Sequence, residues 1–95
     1  MLPIIWRASA RSDLAEIIHY VADANPAAAR RLRKLLMESV LPVSEHPYLY
    51  RQSEHSPNLR EIVAHPNYIV YYRVTASSIE VMNVIHTRRE FPPLQ

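Results

Sequence analysis

The last third of the chain contains three short runs that are rich in valine, isoleucine and tyrosine. These runs span residues 59–64, 68–74 and 79–86, and two short polar segments, residues 65–67 and 75–78, separate them. β-Branched and aromatic residues favour extended strands, and short polar breaks suit reversals of the chain. The pattern therefore predicts a three-stranded antiparallel meander.

The N-terminal part of the chain predicts a short strand followed by a helix. Residues 3–7 form a short apolar stretch of the strand type. Ser9 is expected to cap the helix that follows, with Asp13 in its first turn near the positive end of the helix dipole. The apolar stripe of this helix recurs at helical spacing and consists of Leu14, Ile17, Ile18 and Val21.

A second helix is predicted after the dipeptide Asn25-Pro26. Asn25 suits the N-cap and Pro26 suits the first helical position. Pro42 disfavours helical geometry in the residue before it, so this helix is expected to end there. Residues 44–58 show no period, and we interpret them as a long connection that crosses the sheet edge.

The element order is therefore β-α-α-β-β-β, an α+β fold that we expect residues 1–95 to form as a single domain. Strict alternation in the last strand would place Ile79, Val81, Asn83 and Ile85 opposite Glu80, Met82, Val84 and His86. Neither of the last two strands has a wholly polar face. The helical hairpin should cover one side of the sheet, which leaves the other side for a partner or for the loop 44–58.

Composition excludes several classes of protein. The chain has no glycine, which removes the glycine-rich phosphate loops of P-loop and Rossmann enzymes. It has no cysteine, which favours a reducing cytoplasm. No apolar run is long enough to span a membrane, no signal peptide is recognised, and the scattered histidines lack the spacing of a zinc site. We expect no metal and no cofactor.

Polar groups at the ends of strands are the candidate functional residues. His86, Arg88 and Arg89 lie where the last strand stops. Arg60 and Arg73 lie on neighbouring strands and could form an anion pocket. The alternative for both arginines is an ion pair with Glu61, with Glu80 or with a chain end.

Several segments of the chain resemble the RelE/ParE toxins of bacterial toxin–antitoxin systems. The most specific are Leu59-Arg60-Glu61-Ile62, Tyr71-Tyr72-Arg73-Val74 and Val84-Ile85-His86 with Arg88-Arg89. The first helix, from Ser9 to Tyr20, also looks like the family. The loop Pro47-Tyr48-Leu49-Tyr50 and the His86-x-Arg-Arg ending look most like the ParE branch.

The resemblance implies a ParE-like toxin of a type II system, in the cytoplasm. Such a toxin arrests growth by binding and poisoning DNA gyrase, takes part in plasmid stabilisation, and is neutralised by a cognate antitoxin. The residues expected to bind the target are Arg60, Arg73, His86, Arg88 and Arg89, whereas the antitoxin-binding residues are unknown. Either a homo-oligomer or a hetero-oligomer remains open.

Two alternatives accompany this reading. RelE-like members cut mRNA on the ribosome, and here Arg60, Arg73 and His86 would be the catalytic residues. That constellation is incomplete, because Lys34 is the only lysine and the tail offers Phe91 in place of the family's tyrosine. We therefore expect binding rather than enzymatic action. The second alternative is a degenerate toxin that acts mainly in its antitoxin complex.

A cluster of cations on the second helix stands apart from these candidates. Arg30, Arg31, Arg33 and Lys34 fall within five residues. The cluster could contact DNA or gyrase, and a solvated helix face is the simpler interpretation.

Overall fold

A computed structural model describes residues 1–88 of the chain. The elements are β1 (Ile4–Trp6), α1 (Ala8–Ala24), α2 (Pro26–Glu38), a short 3₁₀ helix (Leu41–Ser44), β2 (Arg60–His65), β3 (Tyr68–Val74) and β4 (Ile79–His86). The predicted β-α-α-β-β-β order is confirmed. The 3₁₀ helix was not predicted; it lies around Pro42 and follows α2, which ends slightly earlier than expected.

The four strands form one sheet in the order β1-β4-β3-β2. β2, β3 and β4 make the predicted antiparallel meander, and β1 adds to β4 in parallel. The last strands are long and pair along most of their length, whereas β1 contributes three residues at the edge. β4, which ends in the candidate residue His86, is therefore an interior strand with a fixed position.

A β-bulge in β4 changes which of its residues face the core. Tyr72 pairs with Val81 but Tyr71 pairs with Asn83, so Met82 is the extra residue. The expected strict alternation along β4 is therefore wrong beyond Val81. The bulge moves Val84 onto the core face, where it is 3% exposed.

The helical hairpin covers one face of the sheet, as predicted. α1 contacts β4 and α2 contacts β2. The core between them is a single apolar cluster whose most buried members are Leu36, Val40, Val43, Val70, Tyr72, Ile79 and Val81. This packing fixes α1 beside the end of β4, because both elements contribute to the same cluster.

Local sequence signals explain the start of α2 but not that of α1. The side chain of Asn25 accepts a hydrogen bond from the backbone N–H of Ala28, and Pro26 opens the helix, as predicted. α1 instead begins at Ala8 with Arg7 as N-cap and no capping side chain. Ser9 donates to the backbone carbonyl of Met82, so the expectation that it caps α1 is wrong.

The connection before β2 runs along the free edge of that strand. Gln52 forms a bridge with Arg60, and the N–H of Glu61 donates to the carbonyl of Arg51. The phenol of Tyr72 donates to the carbonyl of Pro47 at 2.8 Å. The connection therefore crosses the sheet edge, as predicted, and protects it from pairing with other chains.

The face of the sheet opposite the helices carries both apolar and charged side chains. Ile5 is 44% exposed there and Val63 is 64% exposed. Of the loop 44–58, the side chain of Arg51 reaches this face, where it contacts Glu61. The first alternative, a sheet face left for a partner, thus agrees better with the structure than a covering loop.

Candidate functional site

His86 lies at the end of β4, in a groove between this end of the sheet and α1. Its ring meets the ring of Tyr68 edge to face, with centroids 5.1 Å apart. Tyr68 is the cross-strand partner of His86, and it is mostly buried. The groove encloses about 580 Å³. Its lining comprises Asp13, Glu16, Ile17, Tyr20, Tyr68, Val84, Ile85, His86 and Arg88.

A backbone hydrogen bond determines which nitrogen of His86 carries the proton when the ring is neutral. The N–H of Arg88 donates to Nδ1 of His86 at 3.0 Å. An accepting Nδ1 holds no proton, so the neutral ring carries its proton on Nε2. His86 can therefore offer Nε2–H as a donor at this end of the sheet.

Asp13 joins α1 to the bulge of β4. Its Oδ2 accepts hydrogen bonds from the side-chain amide of Asn83 at 3.1 Å and from the N–H of Val84 at 3.0 Å. The expectation that Asp13 lies in the first turn of its helix is wrong, because α1 already begins at Ala8. Asp13 holds the wall of the groove in place.

Arg73 lies on the sheet face that the helices leave uncovered. Its Nε donates to Oε1 of Glu80, and Nη1 of Arg7 approaches Oε2 of the same carboxylate at 3.4 Å. Glu80 is 9% exposed, so the two guanidinium groups supply the charge that its burial requires. The alternative reading of Arg73, an ion pair with Glu80, is confirmed.

Arg60 lies on β2 and anchors the preceding connection. Its Nη1 donates to the carbonyl of Tyr50 at 2.7 Å, and its guanidinium stacks over the ring of Tyr48 at 4.8 Å from the centroid. Arg60 pairs with Tyr72 and therefore shares its face, whereas Arg73 is the next residue of β3 and points to the other face. The expectation that Arg60 and Arg73 form one anion pocket is therefore wrong.

The three residues proposed for a nuclease lie at different places in the fold. His86 is opposite Tyr68 and Arg73 is five residues further along β3. At about 3.3 Å per residue this separation is about 16 Å along the strand. Arg60 is near the level of Arg73 but on the other face. The fold does not bring these three side chains to one reacting phosphate.

Two adjacent tyrosines of β3, Tyr71 and Tyr72, have a raised pKa and are held in their neutral form. Burial raises the pKa of the Tyr71 phenol, and the carboxylate of Glu61 adds to the rise. Burial also raises the pKa of the Tyr72 phenol, against smaller opposing effects of a hydrogen bond with the Tyr50 backbone and of the Arg60 charge. Neither phenol is poised to act as a base near neutral pH.

Arg88 is exposed at the rim of the groove. Arg89, its neighbour in the predicted target-binding set, and Phe91 lie outside the described residues. Sequence reasoning missed Glu16, Ile17 and Tyr20 as members of this site. Tyr20 is 78% exposed, and its helical spacing from Asp13 is the signal that could have found it.

Within residues 1–88, no group of three or more His, Cys, Asp or Glu side chains is placed to hold a metal ion. In the same part of the chain, no helix combines the length and the apolar character needed to cross a membrane.

Two solved structures and one curated protein are similar to this chain. A solved structure described as "Chromosomal ParDE TA system from P. aeruginosa" superposes with a TM-score of 0.78, at 24% identity, over 90% of this chain and 96% of that chain. A structure of YafQ from E. coli gives a TM-score of 0.49 at 16% identity over 92% and 94% of the two chains. The curated protein "Toxin RelE2" of Caulobacter vibrioides is 28% identical over 89 residues, which are 94% of this chain and 99% of that protein.

Residues 4–91 match the family described as "ParE toxin of type II toxin-antitoxin system, parDE". The match covers most of the chain, and the chain therefore belongs to the ParE toxin family. The predicted membership of the RelE/ParE superfamily is confirmed, and a cognate antitoxin is the partner that this family implies.

Proposed function

We propose that this toxin, formed by residues 1–95 as one domain, arrests growth in the cytoplasm by binding and poisoning DNA gyrase. The observation that carries the proposal is that two of the three candidate nuclease residues, Arg60 and Arg73, make contacts that hold the fold together. Arg73 neutralises the buried Glu80, and Arg60 holds the carbonyl of Tyr50. A nuclease needs its cationic groups directed at the phosphate that reacts. Arg60 and Arg73 are instead held on opposite faces of the sheet.

The groove beside His86 is the proposed gyrase-binding surface. It combines an exposed aromatic ring, Tyr20, with the donor Nε2–H of His86 and the exposed cation of Arg88. An aromatic or arginine anchor beside a concave apolar floor is the composition typical of protein-binding hot spots. Of the five residues predicted to bind the target, His86 and Arg88 lie in this groove, and we assign these two to direct contact with gyrase. Arg60 and Arg73 then act by holding the sheet and its connection in shape.

A ribosome-dependent mRNA endonuclease is the second candidate function. The name of the Caulobacter vibrioides relative, "Toxin RelE2", favours it. In that case His86 would act on the RNA through Nε2, because Nδ1 already accepts the N–H of Arg88. The two functions predict different damage in the cell, and one experiment separates them.

The experiment expresses the chain from a tightly regulated promoter, with and without the product of the adjacent gene. Growth, a reporter of the DNA-damage response and the 5′ ends of transcripts are measured together. Gyrase poisoning predicts growth arrest with an induced DNA-damage response and intact transcripts, and rescue by the antitoxin. Transcripts cut at codons without a DNA-damage response would favour the nuclease. Normal growth without the antitoxin would favour the degenerate toxin.

A further inference from the structure

The outer surface of α2 carries a dense group of cations, which we call the α2 basic face: Arg30, Arg31, Arg33 and Lys34. All four residues are exposed. At about 100° per residue, their side chains cover about 160° of the helix circumference. The buried Ala29 and Leu36 lie on the opposite side of the same helix. The centre of the α2 basic face therefore lies about 130° around the helix from the buried side. Arg33, at its margin, lines a groove together with residues of α1.

The α2 basic face has almost no counter-charge from the part of the chain that the structure describes. Lys34 approaches Glu38 at 4.0 Å, with both side chains largely exposed, so this pair contributes little. The side chains of Arg30, Arg31 and Arg33 make no hydrogen bond or ion pair with any other residue among 1–88. Their charge is available to a ligand.

The arginines that contact the sheet or the connection before β2 are different. Arg7, Arg51 and Arg73 all contact a buried glutamate, and Arg60 contacts a backbone carbonyl. Those arginines have structural work that explains their presence. The side chains of the α2 basic face make no comparable contact that stabilises the fold. They are solvated, and α2 packs on the core through other residues, Ala29 and Leu36.

We propose that the α2 basic face binds the phosphate backbone of duplex DNA. Arginine offers a planar set of donors that matches a phosphate with two parallel hydrogen bonds. The face is convex and its centre is polar: the exposed Leu35 lies at one margin, and at the other margin Arg33 borders a groove lined mainly by apolar side chains. A protein partner would need apolar anchors near the centre of the contact, whereas a phosphate backbone needs only cations.

The proposal rests on the proposed function for its setting, because gyrase carries duplex DNA. While the groove beside His86 engages gyrase, the α2 basic face would contact the DNA that gyrase holds. The binding itself requires no gyrase, so it can be measured on the purified chain. DNA binding by the α2 basic face and gyrase binding by the groove beside His86 can therefore be refuted independently.

The primary test measures binding of the purified full chain to a fluorescent 20-base-pair duplex at several salt concentrations. Each phosphate contact contributes about −0.9 to the slope of log K against log salt concentration. Four contacts predict a slope of about −3.6 and a loss of about 150-fold in affinity between 50 and 200 mM salt. A slope near zero would overturn the proposal.

Two double variants with the same net charge identify the surface. Arg30→Gln with Arg31→Gln removes two cations from the α2 basic face, and Ala76→Glu with Ser77→Glu adds two carboxylates in the exposed turn between β3 and β4. The first pair should make the slope shallower by about 1.8, and the second should leave it unchanged. Equal effects of the two pairs would show that net charge alone is measured, and would overturn the proposal. Arg30→Lys with Arg31→Lys, which keeps the charge, should retain the slope and serves as a control for folding.

Two further measurements complete the test. An acidic peptide with the same net charge as the duplex is tested in the same binding assay. If the chain binds this peptide more tightly than it binds the duplex, the proposal is overturned in favour of a protein partner. In a gyrase supercoiling assay, the variant with Arg30→Gln and Arg31→Gln should inhibit several-fold less than the variant with Ala76→Glu and Ser77→Glu. Inhibition by the wild-type chain with no difference between the pairs would contradict the α2 proposal and leave gyrase as the target. Duplex binding without inhibition of gyrase would do the reverse.

Discussion

Asp13 provides the sharpest test of how the groove is built. Its carboxylate accepts the N–H of Val84, which is 3% exposed, and the side-chain amide of Asn83. Asp13→Ala leaves the Val84 N–H without a partner in a place that water cannot easily reach. Hydrogen bonds to a charged group contribute about 1.5–3 kcal/mol each, and an orphaned buried donor costs about 1–3 kcal/mol. We expect the free energy of unfolding to fall by about 2–3 kcal/mol.

For a chain of this size, 1 kcal/mol corresponds to about 4–8 °C in Tm, so the expected fall is about 8–24 °C. Urea unfolding followed by circular dichroism measures the free energy, and the m-value checks that the denatured state is unchanged. Asp13→Asn keeps one acceptor oxygen and should lose less than Asp13→Ala.

Asp23→Ala is the matched control, because Asp23 is exposed on the same helix and its side chain makes no hydrogen bond or ion pair with any other residue among 1–88. It makes the same chemical change at a solvated site, and should alter the free energy of unfolding by less than about 0.5 kcal/mol. If the two alanine variants unfold within about 0.5 kcal/mol of each other, the Asp13 contacts do not join α1 to β4 in the way argued above.

Three further predictions concern other parts of the chain. Arg60→Ala should lower the free energy of unfolding by about 1.5–3 kcal/mol, because it removes the anchor of the connection before β2, whereas Arg30→Ala should change it by less than about 0.5 kcal/mol; equal values from urea titrations would refute this. Asn25→Ala should cost about 1 kcal/mol through loss of the α2 cap, and Asn25→Gly only a few tenths, so an equal loss for both would argue against capping by the side chain. Truncation after His86 should reduce growth arrest at matched expression because it removes Arg88, whereas His86→Gln should retain most of it because the glutamine amide can replace the Nε2–H donor; loss of arrest with folded His86→Gln, together with loss of transcript cleavage at codons that the wild-type chain produces, would instead favour the nuclease.

The parts of the fold that the sequence predicts well are those determined by neighbouring residues. Asn25 and Pro26 act within one helical turn, and the strands 68–74 and 79–86 have the periodicity and turns of a hairpin. The bulge at Met82 could not be read from the sequence. β4 carries apolar residues on both of its faces, so its sequence does not show where the alternation shifts. Only packing against α1 decides that Val84 is buried.

The candidate site was predictable only in part, for a similar reason. His86 and Arg88 could be placed because a strand end positions them directly. Glu16 and Tyr20 join them through the orientation of α1, which depends on the Asp13 contact with Val84, 71 positions away in sequence. No local pattern reports a contact of that range.

The structural contacts of the arginines were predictable only in part: the ion pair of Arg73 with Glu80 was one of the alternatives, whereas the contacts of Arg60 were not foreseen. Arg60 and Arg73 look alike in a list of cations on neighbouring strands. Their partners differ because one residue of offset along a strand changes the face. Arg60 contacts a backbone carbonyl in an irregular connection. Such a contact cannot be predicted from the pattern of side chains.

The central claim is that the chain acts by binding gyrase and not by cutting RNA. The most direct measurement adds the purified toxin to gyrase with relaxed plasmid, and in parallel to translating ribosomes with a defined mRNA. The account predicts loss of supercoiling and accumulation of cleaved DNA–gyrase complexes, both reversed by the antitoxin, with the mRNA intact. Cleavage of the mRNA at codons on the ribosome, with supercoiling unaffected at the same toxin concentration, would contradict it.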